Sequence, residues 1–101
     1  MEEGNGKTPL SLAAKWGNIK VIKLLLEAGA DIEGGEEDGQ IPLLLAASFG
    51  RVDVVKLLLD CGADIKAKCP RGRTPLWYAR NSWGVSEAVV ELLLEKGALE
   101  I

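Results

Sequence analysis

Apolar residues along this chain fall into two alternating kinds of block, and both kinds recur at a fixed spacing. The first kind is short and alanine-rich: Pro9 to Ala14, Pro42 to Ala47 and Pro75 to Ala79. The second kind carries a leucine triplet: Leu24-Leu25-Leu26, Leu57-Leu58-Leu59 and Leu92-Leu93-Leu94. Thr8-Pro9-Leu10 returns as Ile41-Pro42-Leu43 and again as Thr74-Pro75-Leu76, each step being 33 residues. Such a period points to a stack of similar small units. A glycine lies two residues before each of these triplets, at Gly6, Gly39 and Gly72. Each leucine block leads into a glycine-alanine pair, Gly29-Ala30, Gly62-Ala63 and Gly97-Ala98. The third unit is two residues longer, and the surplus falls around Asn81 to Glu87.

The punctuation of each unit predicts two helices. Thr8 and Thr74 suit an N-cap, and Pro9, Pro42 and Pro75 suit the first helical position. Gly17, Gly50 and Gly84 then stop a first helix of about two turns. A second helix follows each glycine. Ile19, Ile22, Leu25 and Leu26 share one helical face, as do Val52, Val55, Leu58 and Leu59. Gly29, Gly62 and Gly97 end these second helices. The links from Asp31 to Asp38 and from Asp64 to Arg71 are polar and read as extended arms closed by a tight turn.

The string G-x-T-P-L-x-x-A-A, a short second helix with a leucine triplet, and then G-A-D-I resembles the ankyrin repeat. The resemblance spans Gly6 to Ala98 in three copies. It implies an all-α fold: an ankyrin-repeat solenoid of stacked antiparallel helix pairs joined by β-hairpin arms. On this reading residues 1–101 are one domain, with repeats at about 6–38, 39–71 and 72–101. Trp77-Tyr78-Ala79 and the closing Glu95-Lys96-Gly97-Ala98 also resemble units of long fungal arrays of this family.

The sequence departs from the family pattern in three places. The histidine that follows T-P-L in the family, where it hydrogen-bonds to the threonine and between repeats, is replaced by Ser11, Leu44 and Trp77. Ile41 stands where a capping threonine is usual, and isoleucine accepts no hydrogen bond. The longer third repeat is expected to loosen or reshape the turn near Trp83.

Composition narrows the function. Hydrophobic residues make up 48% and charged residues 27% of the 101 residues, a globular balance. The net charge of -3 is a poor match for nucleic acid, which calls for clustered positive charge. No apolar run approaches the length of about 18 residues that a membrane span needs. The opening Met1-Glu2-Glu3 is acidic and lacks the features of a signal peptide. Cys61 and Cys69, without a secretory context, read as free thiols in a reducing compartment, which predicts an intracellular protein, cytoplasmic or nuclear.

Catalytic chemistry finds little footing. There is no histidine, which removes imidazole catalysis and imidazole zinc ligands. Cys61 and Cys69 lack a matching second pair, and a free thiol at Cys69 is the strongest reading they carry. Gly34-Gly35 is not followed by a phosphate-loop motif, and Glu33, Glu36, Glu37 and Asp38 lack calcium-loop spacing. No enzyme activity, cofactor or metal is expected.

What the resemblance implies is a protein-protein interaction module, its partner docking on the concave face of the first helices and on the hairpin tips. The positions just before the mid-repeat glycines are Lys15-Trp16, Ser48-Phe49 and Ser82-Trp83. Trp16, Phe49 and Trp83 thus occupy equivalent places, where they either pack on neighbouring helices or form an aromatic stripe for a partner. The tips add Lys7, Glu37, Asp38, Gln40, Arg71 and Arg73. The first arm is acidic and the second, with Lys66 and Lys68, is basic, so the tips either attract each other, orient a partner with complementary charges, or remain solvated surface. Trp77, at the histidine position, is expected to pack between repeats.

Neither end reads as the polar cap that an isolated solenoid needs. Either the chain is a piece of a longer array, or its open ends self-associate. The competing function is accordingly a structural spacer or a self-associating segment of a longer ankyrin array.

Overall fold

A computed structural model describes residues 8–33, 41–81 and 86–98. Six α-helices run through them: α1 (Pro9–Trp16), α2 (Ile19–Glu27), α3 (Pro42–Ser48), α4 (Val52–Asp60), α5 (Pro75–Asn81) and α6 (Glu87–Glu95). They form three pairs, with α1 against α2, α3 against α4 and α5 against α6. The first helices make the spine of the stack, α1 packing on α3 and α3 on α5, while α4 packs on α6. No helix among the described residues is long and apolar enough to cross a membrane.

The alternation of block types explains the packing. The first helices bring alanines to the spine, and Ala14, Ala46, Ala47 and Ala79 are all buried. A methyl side chain lets two helix backbones approach closely. The second helices fill the space behind with Ile22, Val55, Leu58 and Leu93, each fully buried. One continuous apolar cluster results, running through all three pairs. Truncating such a side chain to alanine typically costs about 2–5 kcal/mol.

The helix starts are solved three different ways. Thr8 and Ser11 form a reciprocal capping box: the Ser11 N–H donates to Thr8 Oγ1 at 3.0 Å, and the Thr8 N–H donates to Ser11 Oγ at 2.9 Å. The Ser11 hydroxyl also donates to the Thr8 carbonyl at 3.0 Å, so this fully buried polar side chain is satisfied. A serine at the family's histidine position therefore rebuilds the hydrogen bonding locally. Thr74 accepts from the Trp77 N–H at 3.2 Å. Ile41 makes no side-chain cap, as its chemistry requires. Among the second helices, Asn18 and Ser86 cap α2 and α6, whereas Arg51 leaves α4 uncapped.

The second arm is made of turns, with no strand among the described residues. Asp31 and Asp64 each accept from the N–H two residues on, Glu33 and Lys66, at 2.9 Å. At the second tip the Gly72 N–H donates to the Cys69 carbonyl at 2.8 Å, and the Cys69 N–H donates to the Arg73 carbonyl at 3.1 Å. Pro70 opens this turn, and Gly72 supplies the positive φ of 80° that closes it. The two arms touch where Glu33 Oε2 accepts from the Asp64 N–H at 2.9 Å. The turn containing Gly84 and Trp83 lies outside the described residues.

Candidate functional site

The site is built at the C-terminal ends of α1 and α3. Gly17 ends α1 in the left-handed region with φ of 75°, and its N–H donates back to the Ala14 carbonyl at 3.2 Å. A side chain there would also press to 3.3 Å from Arg51 Cδ. Arg51 passes over this glycine and donates from Nε to the Lys15 carbonyl at 2.9 Å. The end of the first pair is thereby tied to the start of α4 in the second.

The tie brings three expected residues together. Trp16 is 65% exposed and Phe49 43%, one repeat apart on neighbouring helices. Lys15 Nζ lies 5.2 Å from the Trp16 ring centroid and 5.3 Å from that of Phe49, so one ammonium serves both rings. Each cation–π contact at such an exposed place is worth about 0.5–1 kcal/mol. The ammonium also sits in the last turn of α1, where the helix dipole favours a cation. Beside the rings a groove of about 320 Å³ is lined by Trp16, Gly17, Ile19, Gly50, Arg51 and Val52, among others. An arrangement of two exposed rings and a held cation is suited to binding a partner surface and has no catalytic constellation. Ser48, next to Phe49, is half-buried.

Arg71 and Arg73 belong to a different place, the arm between α4 and α5. They stand near the N-terminal ends of the first helices, about 12 Å along a helix of eight residues from the Lys15 cluster. The Arg73 guanidinium lies 4.3 Å from the Trp77 ring centroid, and the Trp77 and Tyr78 rings meet edge to face at 5.2 Å. Trp77 is a partly exposed ring under a guanidinium. Ser11 and Leu44, at the same position in the earlier pairs, are buried. Lys7, Glu37, Asp38, Gln40, Ser82 and Trp83 lie outside the described residues.

The two thiols differ. Cys61 is exposed, and Cys69 is buried beneath the second tip. The Tyr78 hydroxyl donates to Cys69 Sγ at 3.4 Å. Burial pushes the Cys69 thiol up. The Tyr78 hydroxyl, backbone hydrogen bonds from Arg73 and Arg71 and the Arg73 charge outweigh burial and hold it below its ordinary value. Tyr78 is held above its own ordinary value, by burial first and by Cys69 second.

Arg51 was not among the residues the sequence singled out. Its signal was nonetheless present: it occupies the N-cap position where Asn18 and Ser86 supply capping oxygens, and a guanidinium has none to give.

Comparison with known proteins extends the sequence resemblance. A family model described as ankyrin repeats (3 copies) matches residues 33–100, and one described as ankyrin repeat matches residues 5–33. An ankyrin repeat and KH domain-containing protein of Caenorhabditis briggsae is 50% identical over 36 residues, which is 36% of this chain and 1% of that protein. The chain thus spans a very small part of that relative's length.

Proposed function

The chain belongs to the ankyrin repeat family, and we propose that it is a protein-protein interaction module whose partner docks on the concave face of the first helices and on the hairpin tips. The observation that carries this reading is the pair of exposed rings, Trp16 and Phe49, sharing the Lys15 ammonium. Large exposed apolar side chains cost solubility unless something covers them, and aromatic residues are the usual anchors of protein interfaces. The contact set is Lys7, Lys15, Trp16, Glu37, Asp38, Gln40, Ser48, Phe49, Arg71, Arg73, Ser82 and Trp83. The three repeats, at about 6–38, 39–71 and 72–101, act as one domain, and the two free thiols suit a reducing, intracellular compartment.

The test compares immobilised wild-type chain with the Trp16→Ala/Phe49→Ala variant in capture from cell extract. Both positions are largely exposed, so the helical circular dichroism of the variant should match the wild type. Proteins retained by the wild type and lost by the variant support the reading. An unchanged set of captured proteins, with the fold intact, removes the rings from the interface.

A further inference from the structure

The arm between α4 and α5 gathers one sign of charge. From Ile65 to Arg73 it carries Lys66, Lys68, Arg71 and Arg73 and no carboxylate, in a chain whose net charge is -3. Its residues alternate between water and the interior. Lys66 and Lys68 are exposed, Ala67 is half-buried, and Cys69 is buried. Arg71 stands exposed at the tip. Among the described residues, none of these four cations is in an ion pair; the pair that forms there joins Lys96 and Asp60.

The acids that lie closest are committed elsewhere. Glu33 reaches over from the first arm, but its Oε2 accepts from the Asp64 backbone N–H at 2.9 Å. Asp64 Oδ1 accepts from the Lys66 backbone N–H, also at 2.9 Å. Both carboxylates brace main chain at the base of the arm and leave the ammonium groups facing water. The tip itself is held in shape. The Gly72 N–H and the Cys69 carbonyl close its turn at 2.8 Å, and the Arg73 guanidinium rests 4.3 Å from the Trp77 ring centroid. Cations fixed in this way lose little freedom when a partner arrives.

We infer that this arm is a docking surface for an acidic peptide segment of the partner, its carboxylates facing Lys66, Lys68, Arg71 and Arg73. The inference rests on the reading of the chain as an interaction module, and it names the partner's chemistry at one tip. The donors suit carboxylates. A guanidinium takes a carboxylate through two parallel N–H bonds, and an ammonium takes one as a point charge. The extent of the patch favours a peptide over nucleic acid. Glu33 and Asp64 stand at the base of the arm, and a phosphate backbone running past the tip would meet them, whereas a short acidic segment ends within the patch.

The probe is a fluorescein-labelled peptide of glutamates around a central leucine. It is set beside the same peptide with glutamines and beside a labelled single-stranded oligothymidine, all read by fluorescence anisotropy. The glutamate peptide should bind at least about tenfold more tightly than the glutamine peptide, and the difference should shrink as salt is raised. Lys68→Glu/Arg71→Glu should weaken it by at least about tenfold, because each reversal removes an attraction and adds a repulsion. Both side chains are exposed, so the circular dichroism of the variant should match the wild type. Lys20→Glu/Lys23→Glu on α2 changes the net charge equally, at exposed positions away from the arm, and should stay within about twofold. Should the arm variant fail to fold, Lys68→Ala/Arg71→Ala is read in the same way.

Equal binding of the two peptides, or an equal loss in both charge-reversed variants, overturns the inference. Tighter binding of the oligothymidine makes nucleic acid the occupant and overturns it as well. If the glutamate peptide fails while capture from extract still depends on Trp16 and Phe49, the acidic partner is removed and the interaction module stands. If the peptide binds through the arm while capture ignores both rings, the arm stands and the ring pair is removed.

Discussion

Helices α1 and α3 have nearly the same pattern, and they begin in opposite ways. α1 starts on the Thr8–Ser11 capping box, whose two backbone donors and the Ser11 hydroxyl are paired within one turn. α3 starts on Ile41 with no side-chain cap at all. Their surroundings differ in the compensating direction. α3 lies between α1 and α5 and buries Pro42, Leu43, Leu44, Ala46 and Ala47. Among the described residues α1 is packed by a neighbouring first helix on one side only, and it leaves Leu12 and Trp16 exposed. A helix held from both sides keeps its start without local hydrogen bonds. One held from a single side makes up the difference with its own cap.

The largest effect that sharpens this comparison is a cavity in the middle helix. Leu43→Ala should cost about 2–5 kcal/mol in urea unfolding, whereas Leu12→Ala at the open face should stay within about 0.5 kcal/mol. A comparable loss for both would break the account of one-sided support. Next, Gly17→Ala should cost about 1–2 kcal/mol for its positive φ, and the displaced Arg51 should loosen the hold on the Lys15 carbonyl. Thermal melting measures the first effect and hydrogen exchange at the end of α1 reads the second.

The caps come third and run in opposite directions. Ser11→Ala should destabilise by about 1 kcal/mol, and Ile41→Thr should raise the melting temperature by supplying the missing acceptor, a gain of about 0.5–2 kcal/mol. A melting point that is unchanged or lower in Ile41→Thr would show that packing on both sides leaves nothing for a cap to add.

The smallest effect is the pH response at the second tip. The folded chain holds the Cys69 proton less tightly than the unfolded chain, whose thiol keeps its ordinary value of 9.0. Unfolding free energy should therefore rise with pH as Cys69 ionises in the folded state, reach its full increment above the unfolded value, and lose it as pH falls back through the folded one. Tyr78, held above 10.0, retains its proton longer when folded and works against stability at still higher pH. Urea melts from neutral to mildly alkaline pH should show the rise in wild type, with Cys69→Ser flat across that range.

Most of the fold was legible because it repeats. The proline starts, the leucine triplets and the glycine stops placed the described helices, since each signal appears in more than one register and each has a local physical cause. The candidate site was legible only in part. Lys15, Trp16 and Phe49 could be grouped by repeat position alone, because equal positions in a stack lie side by side. Arg51 escaped, since its role depends on a side chain reaching back across a repeat boundary. The Arg73 guanidinium over Trp77 escaped as well, since that contact joins an arm to a helix and no local pattern marks it.

The Arg51–Lys15 bond also bears on how such a chain changes over generations. Arrays of this kind lengthen and shorten by gaining or losing whole units, and a unit that depends only on itself moves without loss. The first and second units here are not interchangeable in that sense. The lysine that serves both rings comes from one unit, and the arginine that fixes its backbone comes from the next. A duplication of the stretch between Gly17 and Arg51 would keep every helix and yet set Asn18 where Arg51 now reaches back to the Lys15 carbonyl. That junction is therefore where a recombined descendant would keep its helices and lose the bond that fixes the end of α1.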